Sequence, residues 1–238
     1  MPSDRFYCDN SLHQNTTIKM QGSEHHHLSR VMRVAVGEEV ELVNGKGDLA
    51  QATLTHLDKH SALLQIQHSQ FFQPPAPAIS LAIPFMRPSK LELVIEKGTE
   101  LGADAFYLYC ADYSEKEELS ASLIERLRLH AISALKQSGR LYIPSLNITP
   151  SLESLLHTSD LKLFGDTDPK APFLAHITES ILFITGPERG FSPKEHQLLR
   201  AHAQGVKLNP NILRAETAPL AAISIFKGNA HVTRINNE

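Results

Sequence analysis

Along residues 39–55 apolar and polar positions alternate with a period of two. Val40 and Leu42 interleave with Glu39 and Glu41, and Ala50, Ala52 and Leu54 interleave with Gln51, Thr53 and Thr55. Such alternation predicts strands with one buried and one wet face. Asn44-Gly45-Lys46-Gly47 supplies turn residues between the two runs, so the stretch reads as a hairpin. ALLQIQ (62–67) predicts a third strand, and Ser23 with the following EHHHLSRVMR predicts a short helix packed at one end. So many short strands close most naturally as a small barrel or sandwich. The prolines of FFQPPAPA (71–78) suit neither strand nor helix and mark a linker.

Beyond the linker the rhythm changes to strands alternating with helices. AISLAIPF (78–85) predicts a strand, and Pro88 opens a helix with Leu91, Val94, Ile95, Gly98 and Leu101 on one face and Gly102 at its end. A strand at AFYLYC (105–110) precedes a long helix through Leu123, Leu127, Ala131, Ala134 and Leu135 that stops near Ser138-Gly139. Further strands are predicted at LKLFG (161–165), ILFIT (181–185) and VKLN (206–209), with a last helix from near Arg214 through LAAISIFK. This order predicts an α/β domain with a mostly parallel sheet covered on both faces. The expected organisation is a small β domain at 1–70, a linker at 71–77 and an α/β domain at 78–238.

Composition narrows the class. A chain of 238 residues with 42% hydrophobic positions has enough apolar surface for one large core or two modest ones. There is no apolar leader near the start and no long apolar run later, so a soluble, unexported cytoplasmic protein with no membrane segment is expected. The formal net charge of −3 argues against non-specific coating of nucleic acid and leaves room for a local basic face. Cys8 and Cys110 lie far apart without a CxxC, which suggests neither a disulfide framework nor a cysteine zinc site. His25-His26-His27 cannot all share one helical face and no carboxylate follows at ligand spacing, so no metal is expected.

The chemistry concentrates where ILFIT runs into GPERGFSPKE (186–195). Ser192 suits a helix N-cap, Pro193 the first helical position and Glu195 the third, as a capping box requires. Strand, glycine loop and helix in this order leave first-turn amides over the carboxyl end of a buried strand, where open α/β sheets bind ligands. Simple turn chemistry would use the same residues. The loop matches neither GxGxxG nor GxxxxGK[ST], which argues against an ordinary NAD enzyme or ATPase.

A second loop, LNPNILRAETAPLAAISIF, again leads from a strand end into a helix. Paired with FITGPERGFSPKE it resembles the two C-terminal motifs of the SPOUT methyltransferases. RFY near the start, HHLSRVMRVAVGEEVELVNGKG, KLELVIEKGTELGADAF, ALKQSGRLYIP and both terminal motifs, in that order, resemble more narrowly the RsmE family, the bacterial 16S ribosomal RNA uridine-N3 methyltransferases. The resemblance spans nearly the whole chain. It implies a PUA-like RNA-binding β-barrel followed by an α/β domain threaded as a trefoil knot, an exception to the usual absence of knots. It also implies S-adenosyl-L-methionine held by the knot loops, a homodimer, and 16S ribosomal RNA as substrate, in the assembled small subunit. The first loop commonly reads GPEGG in this family and the second LGPR, so Arg189 stands where glycine is usual, and Asn209 and Asn211 replace glycine and arginine. Asn209 would tolerate left-handed backbone, and Arg189 would supply the charge that position 211 lacks.

On this resemblance Thr185, Gly186, Gly190, Leu208, Asn209, Ile212, Leu213 and Thr217 are the expected cofactor contacts. Methylating N3 needs the partners positioned and negative charge on the base carbonyls stabilised, a role suited to Arg214, with Glu216 as the nearest proton acceptor. The alternative for both residues is a salt bridge at the helix terminus. Because N3 lies on the pairing edge, the target must be unpaired or flipped. Arg5, His26, Arg30, Arg33, Arg140 and Arg189 are the expected RNA-binding residues. A SPOUT enzyme with a ribose 2′-hydroxyl or transfer-RNA target, or a non-catalytic RNA-binding assembly factor, would share most of these features.

Overall fold

The computed structural model describes residues 4–114, 117–157, 161–174 and 177–235, with 229–235 described by backbone alone. It divides into two compact units, Met1–Pro74 with Ile132–Ile143, and Pro75–Ala131 with Pro144–Glu238. Residues 132–143, well past the proline linker in sequence, thus group with the first unit.

The first unit contains β1 (Arg5–Tyr7), β2 (Thr17–Gln21), α1 (Gly22–His26) leading into a π-helical stretch (His27–Met32), β3 (Glu39–Val43), β4 (Asp48–Leu57) and β5 (Ser61–Phe71). The strands form one sheet in the order β1-β3-β4-β5-β2, antiparallel except for β1 beside β3. The predicted hairpin is β3–β4. Its turn is held by Asn44, whose Oδ1 accepts from Lys46 N (2.9 Å) and Asp48 N (3.2 Å). Register shifts at Gln51/Ala52 and Leu54/His56 give the β4–β5 pair the irregularities that curve a sheet around its core. That core holds Phe6, Ile18, Leu28, Leu42, Leu54 and Leu64.

The second unit starts with β6 (Ile79–Pro84), α2 (Pro88–Leu101) and β7 (Ala105–Tyr109). Next comes α3 (Ala121–Ser138), whose last residues belong to the first unit. There follow β8 (Ser145–Thr149), α4 (Leu152–Leu155), β9 (Leu161–Gly165), β10 (Ile181–Ile184), α5 (Pro193–His202), β11 (Gln204–Val206) and α6 (Thr217–Ile235). The sheet order is β11-β9-β10-β6-β7-β8, and every pairing is parallel. Every residue of β6 and β10 is buried, as their continuous apolar runs predict for strands covered on both faces. Among the described residues no helix is long and apolar enough to cross a membrane.

Three local expectations shift. The strand predicted at 206–209 ends at Val206, because Lys207 N donates instead to Pro172 O (2.8 Å) and the chain then turns through Asn-Pro-Asn. The last helix begins at Thr217 rather than Arg214; the Arg214 carbonyl accepts from Thr217 N (2.9 Å) and Ala218 N (3.0 Å) and so caps it from outside. Leu101, placed on the buried face of α2, is 38% exposed at the final turn, while Thr99 is buried with its hydroxyl donating to Ile95 O.

Candidate functional site

In an all-parallel sheet the loops after the strands gather at one edge. β6 connects onward to β7 on one side, whereas β10 connects to β11 on the other, so the space between β6 and β10 is a topological switch point, where open α/β sheets form their crevice. A cleft of about 420 Å³ opens beside it at the carboxyl ends of β9, β10 and β11, lined by the residues that follow these strands and by Lys90 near the start of α2. Thr185, Gly186, Gly190, Leu208, Asn209, Ile212, Leu213 and Arg214 all line it; Thr217, Glu216 and Arg189 do not.

Thr185 is buried and ties the loop to the sheet: its hydroxyl donates to Ala82 O (3.0 Å), and its carbonyl accepts from the Tyr109 hydroxyl (2.6 Å). Burial, reinforced by Glu195, pushes the Tyr109 phenol well above its ordinary range, so it remains a donor. At Gly186 an added Cβ would sit 3.2 Å from the Phe191 ring, which packs edge-on against Phe164 and His196 to form an aromatic wall. Gly190 closes a turn through its N–H to Pro187 O (2.8 Å) at φ +78°, and a Cβ added there would meet nothing within 4 Å, so its backbone is open to a ligand. Asn209 does not adopt left-handed backbone; its side chain accepts from Asn211 N (2.9 Å), making the turn by an Asx hydrogen bond instead of by a positive φ. The capping box of α5 is complete, with Ser192 Oγ accepting from Glu195 N (3.1 Å) and Glu195 Oε2 from Ser192 N (2.8 Å).

Lys90 joins the two loops. Its Nζ donates to Glu188 Oε1 at 3.0 Å and lies 3.0 Å from Glu216 Oε2. The second contact has ion-pair distance without hydrogen-bond alignment, and Glu216 Oε2 is buried with no other partner. The hydrogen bond to Glu188, and then the charge of Glu216 beside it, raise the Lys90 pKa. For Glu216, burial acts upward but its own backbone N–H, Lys90 and Arg214 together outweigh it, leaving the carboxyl below its usual range. The salt-bridge alternative therefore describes Glu216, with Lys90 rather than Arg214 as partner. Arg214 is exposed and lines the cleft with no ion pair among the described residues, a cation available to a ligand.

Lys90, Asp166, Phe191, His196 and Lys207 also line the cleft and were not singled out in the sequence as site residues. Lys90 carries a detectable signal: a cation in the first turn of a helix opposes the helix dipole and calls for carboxylates nearby. Asp166 closes a turn by accepting from Asp168 N (2.9 Å) and is also braced by Arg200 (3.2 Å). Arg189, expected to serve the cleft, instead lays its guanidinium over the Tyr113 ring, 4.8 Å from the centroid.

Within the first unit the expected RNA contacts separate. His26, Arg30 and Arg33 are exposed, beside exposed Val31, Met32 and Val36. Arg5 is not available: its side chain is 8% exposed and paired with Glu41 at 2.8 Å, with Nη1 buried. Arg140 is half-buried and already engaged within the protein. The adjacent histidines diverge, with His25 buried against Asp58 O (3.1 Å), His27 edge-on to Phe6 and His26 in solvent.

Comparison with known proteins agrees with this architecture. Residues 73–227 match the model described as an RNA methyltransferase domain, and residues 21–67 that of an RNA methyltransferase PUA domain. The ribosomal RNA small subunit methyltransferase E of Rickettsia conorii is 27% identical over 234 residues, covering 94% of this chain and 95% of that protein. The protein of the same name from Synechocystis is 31% identical over 219 residues, covering 87% and 72%. Among solved structures, the chain resembles a ribosomal RNA small subunit methyltransferase E from Neisseria gonorrhoeae bound to S-adenosyl methionine, with TM-score 0.84, 31% identity and coverage of 93% and 95%. A probable rRNA-methyltransferase from Porphyromonas gingivalis gives TM-score 0.85 at 26% identity, covering 97% and 99%. With a PUA domain ahead of a parallel α/β domain whose loops enclose the cleft, this chain belongs to the SPOUT-type RsmE family of RNA methyltransferases.

Proposed function

We propose that the chain transfers a methyl group from S-adenosyl-L-methionine to N3 of a uridine in 16S ribosomal RNA, acting in the cytoplasm on the assembled small subunit. The observation that carries this reading is the cleft itself: Gly186, Leu208 and Leu213 line it together, with Arg214, unpaired among the described residues, beside them. Its lining fits S-adenosylmethionine. Phe191, Leu208 and Ile212 offer apolar faces suited to an adenine ring, and Gly186 and Gly190 offer accessible backbone for its polar groups. The cofactor, when bound, supplies an electrophilic methyl group on sulfonium sulfur.

The chain's own residues position and stabilise. Loss of the N3 proton leaves negative charge spread over the uracil carbonyls until the methyl group is accepted, and the Arg214 guanidinium would meet that charge. Glu216, held ionised beside Lys90, is a weak base and acts as a positioning residue that keeps the loop before α6 against the loop after β10. The N3 proton passes to a base in bulk solvent. His26, Arg30 and Arg33 bind the RNA backbone through the PUA-like unit, taken as 1–70, while 78–238 carries the chemistry. The same reading brings a trefoil-knotted threading and a homodimer, the latter tested by sedimentation.

The direct test is nucleoside mass spectrometry of small subunits lacking 3-methyluridine, after incubation with the protein and S-adenosylmethionine, beside an Arg214→Ala control. New 3-methyluridine with wild type and at least about a hundredfold less with the variant is expected. Absence of any methylated nucleoside, with cofactor binding shown by calorimetry, would refute the target.

A further inference from the structure

We propose that Arg189 and Tyr113 form a stacking platform beside the cleft for an unpaired RNA base flanking the reacting nucleotide; this rests on the RNA-methylating function above. Arg189 lies between Glu188 and Gly190, which both line the cleft, yet its own side chain turns outside and covers the Tyr113 ring at 4.8 Å. The guanidinium is exposed and, among the described residues, pairs with no carboxylate. The guanidinium carbon lies over the ring, and among the described residues the exposed remainder of the group is open to a partner. Tyr113 itself is 36% exposed.

Both halves sit on turns closed without them. Gly190 N donates to Pro187 O (2.8 Å), closing the turn that carries Arg189. Ser114 N donates to Ala111 O (3.0 Å) and Ala111 N to Ser114 Oγ (3.0 Å), closing the turn that carries Tyr113. This second turn is fastened to the start of α5, where Asp112 N donates to Glu195 Oε1 (3.1 Å) and the Ser192 hydroxyl donates to the Asp112 carboxylate. The capping chemistry of the motif therefore also holds an aromatic ring at the surface, and Arg189, where the family commonly has glycine, completes it. A base presented for reaction on its pairing edge is unstacked from its neighbours, which then need a new surface. Aromatic rings and arginine planes are the surfaces on which proteins stack single-stranded RNA bases, and stacking there is tolerant of base identity. An exposed ion pair would instead leave the guanidinium edge-on to a carboxylate, and a structural stacking pair would be buried; neither describes this site.

The chain contains no tryptophan, so Tyr113→Trp in this chain places its one tryptophan in the platform, where it can be excited apart from the remaining tyrosines. Titration with single-stranded hexauridylate should quench it, whereas an abasic oligomer of equal length should not. Arg189→Ala should weaken the hexauridylate titration about tenfold, and Arg189→Lys, which keeps charge without a planar face, should recover little of that loss. In the methylation assay Arg189→Ala should raise KM for small subunits with little change in kcat, and calorimetry should show unchanged S-adenosylmethionine affinity. Equal quenching by the abasic oligomer, hexauridylate binding detected by anisotropy without quenching, or no binding at all would overturn the platform. Intact quenching with no methyl transfer by wild type would instead uphold the platform and overturn the proposed activity, so the two failures are distinguishable.

Discussion

Replacing Lys90 with methionine removes the cation between Glu188 and Glu216 while keeping the alkyl stem. At 3.0 Å, and at an effective dielectric constant of about 20, one such contact is worth about 5.5 kcal/mol before desolvation and screening. Side-chain exposures of 27% for Lys90 and 12% for Glu216 place the pair between exposed pairs, worth about 0–1 kcal/mol, and fully buried ones. After the discount for solvent screening we expect a coupling of about 1 kcal/mol between Lys90→Met and Glu216→Gln. The single Lys90 variant should be the more damaging, since it leaves Glu216 Oε2 buried with no partner at all. The assay is a double-mutant cycle by urea unfolding, using the transition that S-adenosylmethionine shifts to identify the second unit. Because the folded Glu216 carboxyl titrates below its unfolded value, the coupling is fully present above the ordinary carboxylate range and is lost as pH falls through the depressed folded value. A coupling under about 0.3 kcal/mol at neutral pH, or one that survives full protonation of Glu216, would refute the bridge between the loops.

Arg5→Ala should lower stability by about 2 kcal/mol, because it removes a buried partner from Glu41; urea unfolding reads the loss. Arg30→Ala with Arg33→Ala should leave unfolding unchanged but weaken RNA binding and flatten its salt dependence, as filter binding at several salt concentrations would show. Tyr109→Phe should cost about 1 kcal/mol by unpairing the buried Thr185 carbonyl and should lower S-adenosylmethionine affinity several-fold in calorimetry, whereas unchanged affinity would separate this hydrogen bond from the cleft.

Much of the fold follows from short-range pattern. The hairpin of Val40 and Leu42 against Ala50, Ala52 and Leu54, the buried runs of β6 and β10, and the Ser192–Glu195 capping box are each written in a few consecutive residues. Arg5–Tyr7 escaped because it is three residues long and Ser145–Thr149 because it is mostly half-exposed, so periodicity has little to act on, whereas Thr17–Gln21 alternates as regularly as β3 and was legible but not read. The strand predicted at 206–209 was placed too late in the chain, since Gln204 and Gly205 look like loop residues and become part of β11 only by pairing with Leu163 and Phe164.

The site divides along the same line. GPERG and NPNILRAE announce themselves as loops after strands, and Gly186, Leu208, Leu213 and Arg214 could be named from them because local backbone demands and charge are properties of neighbouring residues. Which cations are free is not such a property. Arg5 and Arg214 look alike in the chain, yet one is buried against Glu41 and the other is open to the cleft. Lys90 reaches Glu188 and Glu216 only because β6 and β10 lie side by side in the sheet. Arg189 leaves the cleft only because Tyr113 is held beside it by the start of α5. Partner choice among charges far apart in the chain depends on strand order and burial, and those arise when distant segments pack, so no local pattern of residues encodes them.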